Sequence, residues 1–387
     1  MLWTLQSSDN GTDNHRFSAN PMNPTQFLSD LRILDFSPLF PGPYATHLLS
    51  DLGADVLRVE SPARDDLLLH LPPLVDGQSA AHRSINRNKG SVTINLKDPA
   101  GAEQVHALLA ERDILVESFR PGVMQRLGLD YASLKQRFPR LIYLSLTGYG
   151  QDGPLAQRAG HDINYLALSG LASYSGRRET GPVLSAAQLA DCVGAHHAAL
   201  AILAAVNARR SSGQGCHLDI AIADCAFATN AMFGANALAS GTAPQLGAEP
   251  LNGGHVYDYY ATADGRYLSF GGLEPKFVIA FFDAIGKPDW LPPVASSDPA
   301  VIAELKTELA GLIESAPLSQ WREIFEAIDA CVEPVLDLTE ASQHPHFRAR
   351  GMIRSTTTEA GTPEVVTSSA PSGTRAMRRC PSVVFSL

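Results

Sequence analysis

Leu31-Arg32-Ile33-Leu34-Asp35-Phe36, the run from Tyr44 to Leu52, and Asp55-Val56-Leu57-Arg58-Val59-Glu60 decide how this chain folds. The outer two stretches are short and largely apolar, as buried strands are. Between them, the Pro41-Gly42-Pro43 turn ends the first strand, apolar residues then recur at helical spacing, and Gly53 reads as a C-cap. The unit is β-turn-α-β, which builds a parallel sheet with helical crossovers. The pattern repeats downstream. Strands are expected at 91–96, 114–117 and 141–146, a helix at 99–110, a long Ala/Leu helix at 191–207, and a further strand at 217–222. These stretches predict an α/β chain with a Rossmann-like large domain. No Gly-x-Gly-x-x-Gly follows the first strand, and Pro-Gly-Pro offers few backbone N–H groups to a pyrophosphate. Nicotinamide chemistry is therefore not expected.

The rest of the chain has a different texture. Residues 223–254 are rich in Ala, Asn and Gly with a mixed pattern and read as a crossing segment. Tyr259-Tyr260-Ala261-Thr262 and Tyr267-Leu268-Ser269-Phe270 flank Ala263-Asp264-Gly265-Arg266, a hairpin signal. Helices are expected at 275–286, 298–315 and 318–329, and a strand at 331–336. The net charge of −10 argues against nucleic acid as a partner. Five cysteines without a Cys-x-x-Cys pair suit reduced thiols in a cytoplasmic protein, with no metal site. No apolar run reaches the roughly 20 residues that span a bilayer, so no membrane is expected. Residues 1–28 are polar, lack a secretory pattern and read as a disordered extension.

The chemistry concentrates in Gly160-His161-Asp162-Ile163-Asn164-Tyr165 and in Asp191. The first stretch sits behind a turn-rich lead-in, Gly148 to Pro154, and Asp191 opens the Ala-rich helix. Histidine titrates near neutrality, and a partly desolvated Asp can be tuned towards it. Two such groups at element ends could form a two-sided proton-transfer site. The residues alone leave a second reading open, in which His161 packs at a loop–helix junction and Asp191 is an N-cap. Cys192 likewise reads as a nucleophile or as a buried structural thiol.

Three ordered motifs resemble the family III CoA-transferase superfamily. They are Pro41-Gly42-Pro43 with Asp51-Leu52-Gly53-Ala54-Asp55-Val56, Glu117-Ser118-Phe119-Arg120-Pro121-Gly122-Val123-Met124-Gln125-Arg126-Leu127-Gly128, and Thr147-Gly148-Tyr149-Gly150-Gln151-Asp152-Gly153-Pro154. Within it, Gly160 to Tyr165, Gly271-Gly272-Leu273-Glu274-Pro275-Lys276-Phe277 and Asp329 to Val335 resemble the α-methylacyl-CoA racemase branch. The resemblance implies inversion of the α-carbon of a 2-methyl-branched acyl-CoA thioester through an enolate. It assigns His161 and Asp191 as the two acid/bases, with Glu274 orienting the His. Backbone amides of residues 160–164 are candidate donors to the enolate oxygen. Lys97, Arg120 and Arg126 match positions that grip CoA, Ile94 matches a wall of the adenine site, and Asp162 and Tyr165 match residues near the thioester and pantetheine. CoA is part of the substrate, and no separate cofactor is implied.

The resemblance also implies an architecture. A large CoA-binding domain takes residues 29–222, 223–254 connects it to a small α+β domain at 255–345, and 346–387 returns to the large domain. Two chains interlock as a homodimer, and Glu274 reaches the partner's site. There are departures: relatives carry an Arg where this chain has Ser61, which Arg64 could replace, and an Asn where it has Ala187. Cys192-Val193-Gly194-Ala195-His196-His197 stands in place of a Gly-rich run, and His196 and His197 could add a polar partner. The alternative activity is CoA transfer, in which Asp191 would attack the acyl-CoA and form an anhydride and then an aspartyl-CoA thioester.

Overall fold

The computed structural model describes residues 27–358 and 361–367. Its main sheet has six strands: β1 (Arg32–Asp35), β2 (Asp55–Glu60), β3 (Lys89–Thr93), β4 (Ile114–Glu117), β5 (Ile142–Thr147) and β6 (Cys216–Ala221). They lie in the order β6-β5-β4-β1-β2-β3, every neighbour parallel. The order reverses beside β1, where an open α/β sheet forms a crevice outside its carboxyl ends.

Side chains alternate across this sheet. Ile33, Val56, Ile114, Val116, Ile142, Leu144 and Leu146 enter one core, and Leu34, Leu57, Val92, Leu115 and Tyr143 enter the other. The first face is covered by α1 (Pro41–Asp51), the second by α2 (Pro99–Leu109). The loop after β5 leads to α3 (Asp162–Leu168), which packs with α4 (Leu189–Ser212) on the first face. α4 buries Ala190, Gly194, Ala195, Ala198, Ala199, Ile202, Ala205 and Val206, a stripe of mostly small residues that lets neighbours approach closely. At Gly194 an added Cβ would sit 3.1 Å from the Ile222 side chain.

Several elements differ from the sequence expectation. Pro41-Gly42-Pro43 begins α1 instead of preceding it. Proline at the first helical position costs no hydrogen bond there. β3 begins and ends earlier than expected, at Lys89 and Thr93, and Asp98 caps α2 through its bond from Ala100 N at 3.0 Å. α4 starts two residues before Asp191, so Gln188 and not Asp191 is its N-cap residue. It also runs on to Ser212, because buried Arg209 is held by Asp113 O and Arg140 O, each at 3.2 Å. On length and composition α4 would suffice to cross a bilayer. Asp191, His196 and His197 interrupt its apolar run in the sequence, and half of that stretch is buried inside the protein. The mixed segment 223–254 contains most of α5 (Ile222–Ala228) and all of α6 (Ala231–Ser240).

The remaining chain forms a second core. Strands β7 (Asp258–Ala261), β8 (Tyr267–Phe270) and β9 (Val332–Pro334) make an antiparallel sheet, with the hairpin turn at Asp264-Gly265 as the sequence suggested. Helices α7 (Pro275–Ala284), α8 (Pro299–Glu314) and α9 (Leu318–Phe325) cover it. Phe281 stacks on Phe270 at 3.9 Å and on Phe325 at 5.3 Å. The hairpin of β10 (Ile353–Thr357) and β11 (Pro363–Thr367) is tied to residue 76 of the first part: Thr358 and Thr362 hydroxyls donate to Asp76 at 2.5 and 2.7 Å. The expectation for residues 1–26 and for the chain beyond 367 falls outside the described residues.

The glycine loop leaves no room for a side chain at Gly148. A Cβ on Gly148 would lie 2.3 Å from Tyr165 Oη and 2.8 Å from its ring. Gly148→Ala is therefore expected to destabilise the fold by about 1 to 3 kcal/mol, the usual cost of overpacking. Urea unfolding with an unchanged midpoint would contradict this close approach.

Candidate active site

β5 ends in buried Thr147, and the chain then runs through Gly148, Gly150 and Gly153 before reaching Gly160. Gly150 and Gly153 adopt φ of 85° and 83°, which a glycine takes without strain. Tyr165 fastens the far end of this loop. It is 5% exposed, its hydroxyl donates to Gly160 O at 2.8 Å, and Tyr149 meets its ring edge-on at 5.2 Å. Asn164 Oδ1 accepts from His161 N at 3.0 Å, while Asn164 N donates to His161 O at 2.8 Å. His161 is thereby fixed at the N-cap of α3, with its side chain exposed.

Asp162, one residue further, joins α3 to α4. Its Oδ1 accepts from Asp191 N at 3.1 Å. Asp191 is only 6% exposed. Burial raises its pKa to about 6, the Asp162 carboxylate adds to the rise, and a hydrogen bond from Gln188 opposes it. Gln188 Nε2 donates to Asp191 Oδ2 at 3.1 Å. Exposed His161 thus adjoins Asp162 in sequence, and a buried carboxyl with a raised pKa lies across the Asp162–Asp191 contact. Two such groups are what a two-base proton transfer requires.

Other expected site residues are placed as follows. Lys97, Arg120 and Arg126 are exposed, and among the described residues their side chains have no hydrogen-bond or ion-pair partner. Ile94 is 2% exposed within the core beside α2. Arg64 faces Ser61 across an isolated antiparallel backbone bridge. Glu274 caps α7 without a side-chain bond to its helix. It is exposed and unpartnered among the described residues, and no hydrogen bond joins it to His161 within one chain. His196 and His197 each spend Nδ1 on the carbonyl one turn back, Cys192 O at 2.6 Å and Val193 O at 2.9 Å. Burial, with Asp191 and Asp162, raises the Cys192 thiol pKa, which disfavours the nucleophilic thiolate. The four described cysteines are free thiols.

Two residues at this end of the sheet escaped the sequence reading. Gln188 stands three positions before Asp191, one helical turn, and that spacing was a usable signal. Glu117 is 2% exposed at the end of β4, and burial raises its pKa to about 7. Its motif was visible, but nothing in the sequence marked it as buried.

Similarity to known proteins identifies the family. The sequence pattern of CoA-transferase family III matches residues 28–383. The human protein described as alpha-methylacyl-CoA racemase is 35% identical over 84% of this chain and 81% of its own length. The Acetobacter aceti protein described as acetyl-CoA:oxalate CoA-transferase is 31% identical over 86% of this chain and 87% of its own length. A crystal structure of a CAIB/BAIF family protein from Brucella suis superposes with a TM-score of 0.75 at 30% identity, covering 86% of this chain and 89% of that one. The chain belongs to CoA-transferase family III, whose members here include both racemases and transferases.

The Asp191 environment makes a prediction that needs no substrate. Its folded pKa, about 6, lies above its ordinary 3.8. The stability it contributes is therefore fully present below the unfolded pKa and is lost as pH rises through about 6. Asp191→Asn should stabilise the protein at pH 8 by on the order of 1 to 3 kcal/mol and have little effect at pH 4. Asp162→Asn should move the Asp191 titration down and Gln188→Ala should move it up. Denaturant melts across pH would check these signs, and equal stability of Asp191→Asn and wild type at pH 8 would contradict them.

Proposed function

We propose that this enzyme is a racemase that inverts the α-carbon of 2-methyl-branched acyl-CoA thioesters by two-base 1,1-proton transfer through an enolate. The observation that carries the reading is the Asp162–Asp191 contact: it ties the residue after exposed His161 to the backbone of Asp191, whose buried carboxyl has its pKa raised to about 6. In one direction His161 takes the α-proton while protonated Asp191 delivers one to the opposite face. In the other direction the roles exchange. Each group must be able both to hold and to release a proton near pH 7, which an ordinary carboxyl does poorly. Lys97, Arg120 and Arg126, exposed and without a side-chain partner among the described residues, would serve the CoA phosphates.

The second reading is CoA transfer with Asp191 as nucleophile, and relatives of that description keep it in view. Burial and Asp162 raise the Asp191 pKa to about 6, which supplies some of the protonated form that proton delivery needs and still leaves the carboxylate that attack needs. Asp191 alone therefore serves both chemistries, and the proton-transfer reading leans on His161.

The strand order, with its reversal beside β1, supports a Rossmann-like large domain. We further infer an interlocked homodimer in which Glu274 of each chain orients His161 of its partner subunit. Glu274 is exposed and unpartnered within the described residues. α6 has no buried residue, and its Met232 and Leu238 are 55% and 85% exposed. Apolar surface of this kind is normally covered in the assembled protein.

Incubation with (R)- and (S)-2-methylacyl-CoA in deuterium oxide tests the activity. Both epimers should interconvert with deuterium at the α-carbon, His161→Ala should lose about 10²-fold or more, and Asp191→Asn should abolish the reaction. Transfer of CoA to an added free acid, or a hydroxamate at Asp191 after hydroxylamine trapping, would establish the second reading instead.

Assembly has its own test. The protein should sediment at about twice the chain mass, as a closed two-fold dimer. Inactive His161→Ala and Glu274→Ala chains should recover activity when refolded together, because one site of the heterodimer would carry both intact residues. An active monomer would rule the shared site out.

A further inference from the structure

Behind the Ser118-Phe119-Arg120 turn lies a cavity of about 180 Å³, whose lining includes neither His161 nor Asp191. Its walls include Glu117, Arg120, Tyr143, Ser145, Gln151 and His217. Glu117 is a buried carboxyl with no cation paired to it among the described residues. Such a group is costly to bury unless it is neutral or well hydrogen-bonded. What it does visibly is hold the turn: its Oε2 accepts from Phe119 N at 2.7 Å, immediately before Arg120.

Each element around Glu117 bears on its charge. From β5, Ser145 hydrogen-bonds to it and favours the carboxylate, and the Tyr143 hydroxyl stays protonated because burial raises its pKa. From β6, Asp219 disfavours the carboxylate. His217 places Nε2 3.0 Å from Ser145 Oγ, and burial keeps its ring towards the neutral form. Tyr131 stacks on that ring at 5.5 Å, and Asp130 and Arg120 complete the charged lining. Gln151 Nε2 is buried there without a partner among the described residues. The Ser145 hydroxyl can donate to an ionised Glu117 while accepting from His217, or accept from a protonated Glu117 while donating to a neutral ring. The cluster therefore tolerates both states of Glu117, but the bond to Phe119 N does not: a neutral carboxyl accepts more weakly than a carboxylate.

We propose that Glu117 is a positioning residue for acyl-CoA binding, whose carboxylate clamps the turn carrying Arg120 and whose protonation loosens it. The proposal rests on the reading that Arg120 belongs to the CoA site. Burial raises the Glu117 pKa to about 7, so the switch falls in the neutral range. CoA affinity should fall as pH drops through it, and the loss should appear in KM rather than kcat.

Calorimetric titration with free CoA between pH 5.5 and 8.5 tests this on wild type, Glu117→Gln and Ser145→Ala. The ligand's own phosphate titrates near pH 6, so the informative quantity is the difference between proteins. Wild type should lose about fivefold more affinity than Glu117→Gln towards acid pH, the difference between a charge-assisted and a neutral hydrogen bond. Glu117→Gln removes a carboxyl whose ionisation costs stability at high pH, so it should fold. Ser145→Ala keeps Glu117 and removes a bond to its charged form, which should move the midpoint of the affinity change to higher pH. Parallel pH curves for wild type and Glu117→Gln, or a midpoint that Ser145→Ala leaves in place, would overturn the clamp. Failure of wild type to bind CoA at any pH would instead overturn the CoA-site reading on which it rests.

Discussion

One hydrogen bond organises the candidate site: Asp191 N to Asp162 Oδ1, at 3.1 Å. It ties the first turn of α4 to the start of α3, and His161 precedes Asp162 by a single residue. Residues 30 positions apart in sequence are thereby held at adjoining helix starts. The same carboxylate acts electrostatically. Its charge helps raise the Asp191 pKa, while Gln188 on the other side pulls it back. Burial is the larger cause of the rise, so Asp162 fixes the position of Asp191 and contributes second to its acidity.

That contact is as rigid as the elements beneath it. α4 is held along its length by the small-residue stripe, and at its far end by Arg209, which bonds to Asp113 O and Arg140 O and pairs with Asp113 at 3.0 Å. α1 is seated by a buried polar cluster. Lys89 is wholly covered and donates to Pro43 O at 2.7 Å, Thr46 Oγ1 at 2.9 Å and Asn86 Oδ1 at 3.0 Å, with Asp35 3.9 Å away. Burial pulls the Lys89 pKa down to about 7 against the attraction of Asp35. A group so placed is satisfied by geometry, and removing one partner would leave an uncompensated buried charge.

The main strands were legible because parallel strands buried on both faces read as apolar runs. β2 and β4 lie where the sequence put them, and the hairpin of β7 and β8 followed from Asp264-Gly265. Helix ends were less legible. Pro41 can end a strand or begin a helix, and local sequence does not choose between them. The extension of α4 to Ser212 depends on Arg209 finding two carbonyls on distant strands. α5 and α6 carry no clear period, so their helicity was not readable from pattern alone.

The site divides along the same line. The sequence by itself determined the family, through three ordered motifs, and the residue types that two-sided proton transfer needs, His161 and Asp191. Those are local facts, fixed by what each side chain can hold or release. Tertiary structure alone decided that Asp162 touches Asp191, that Gln188 donates to the Asp191 carboxyl, and that Glu117 is buried with no cation paired to it among the described residues. Desolvation and charge proximity depend on which distant segments close over a group, and no local pattern encodes that.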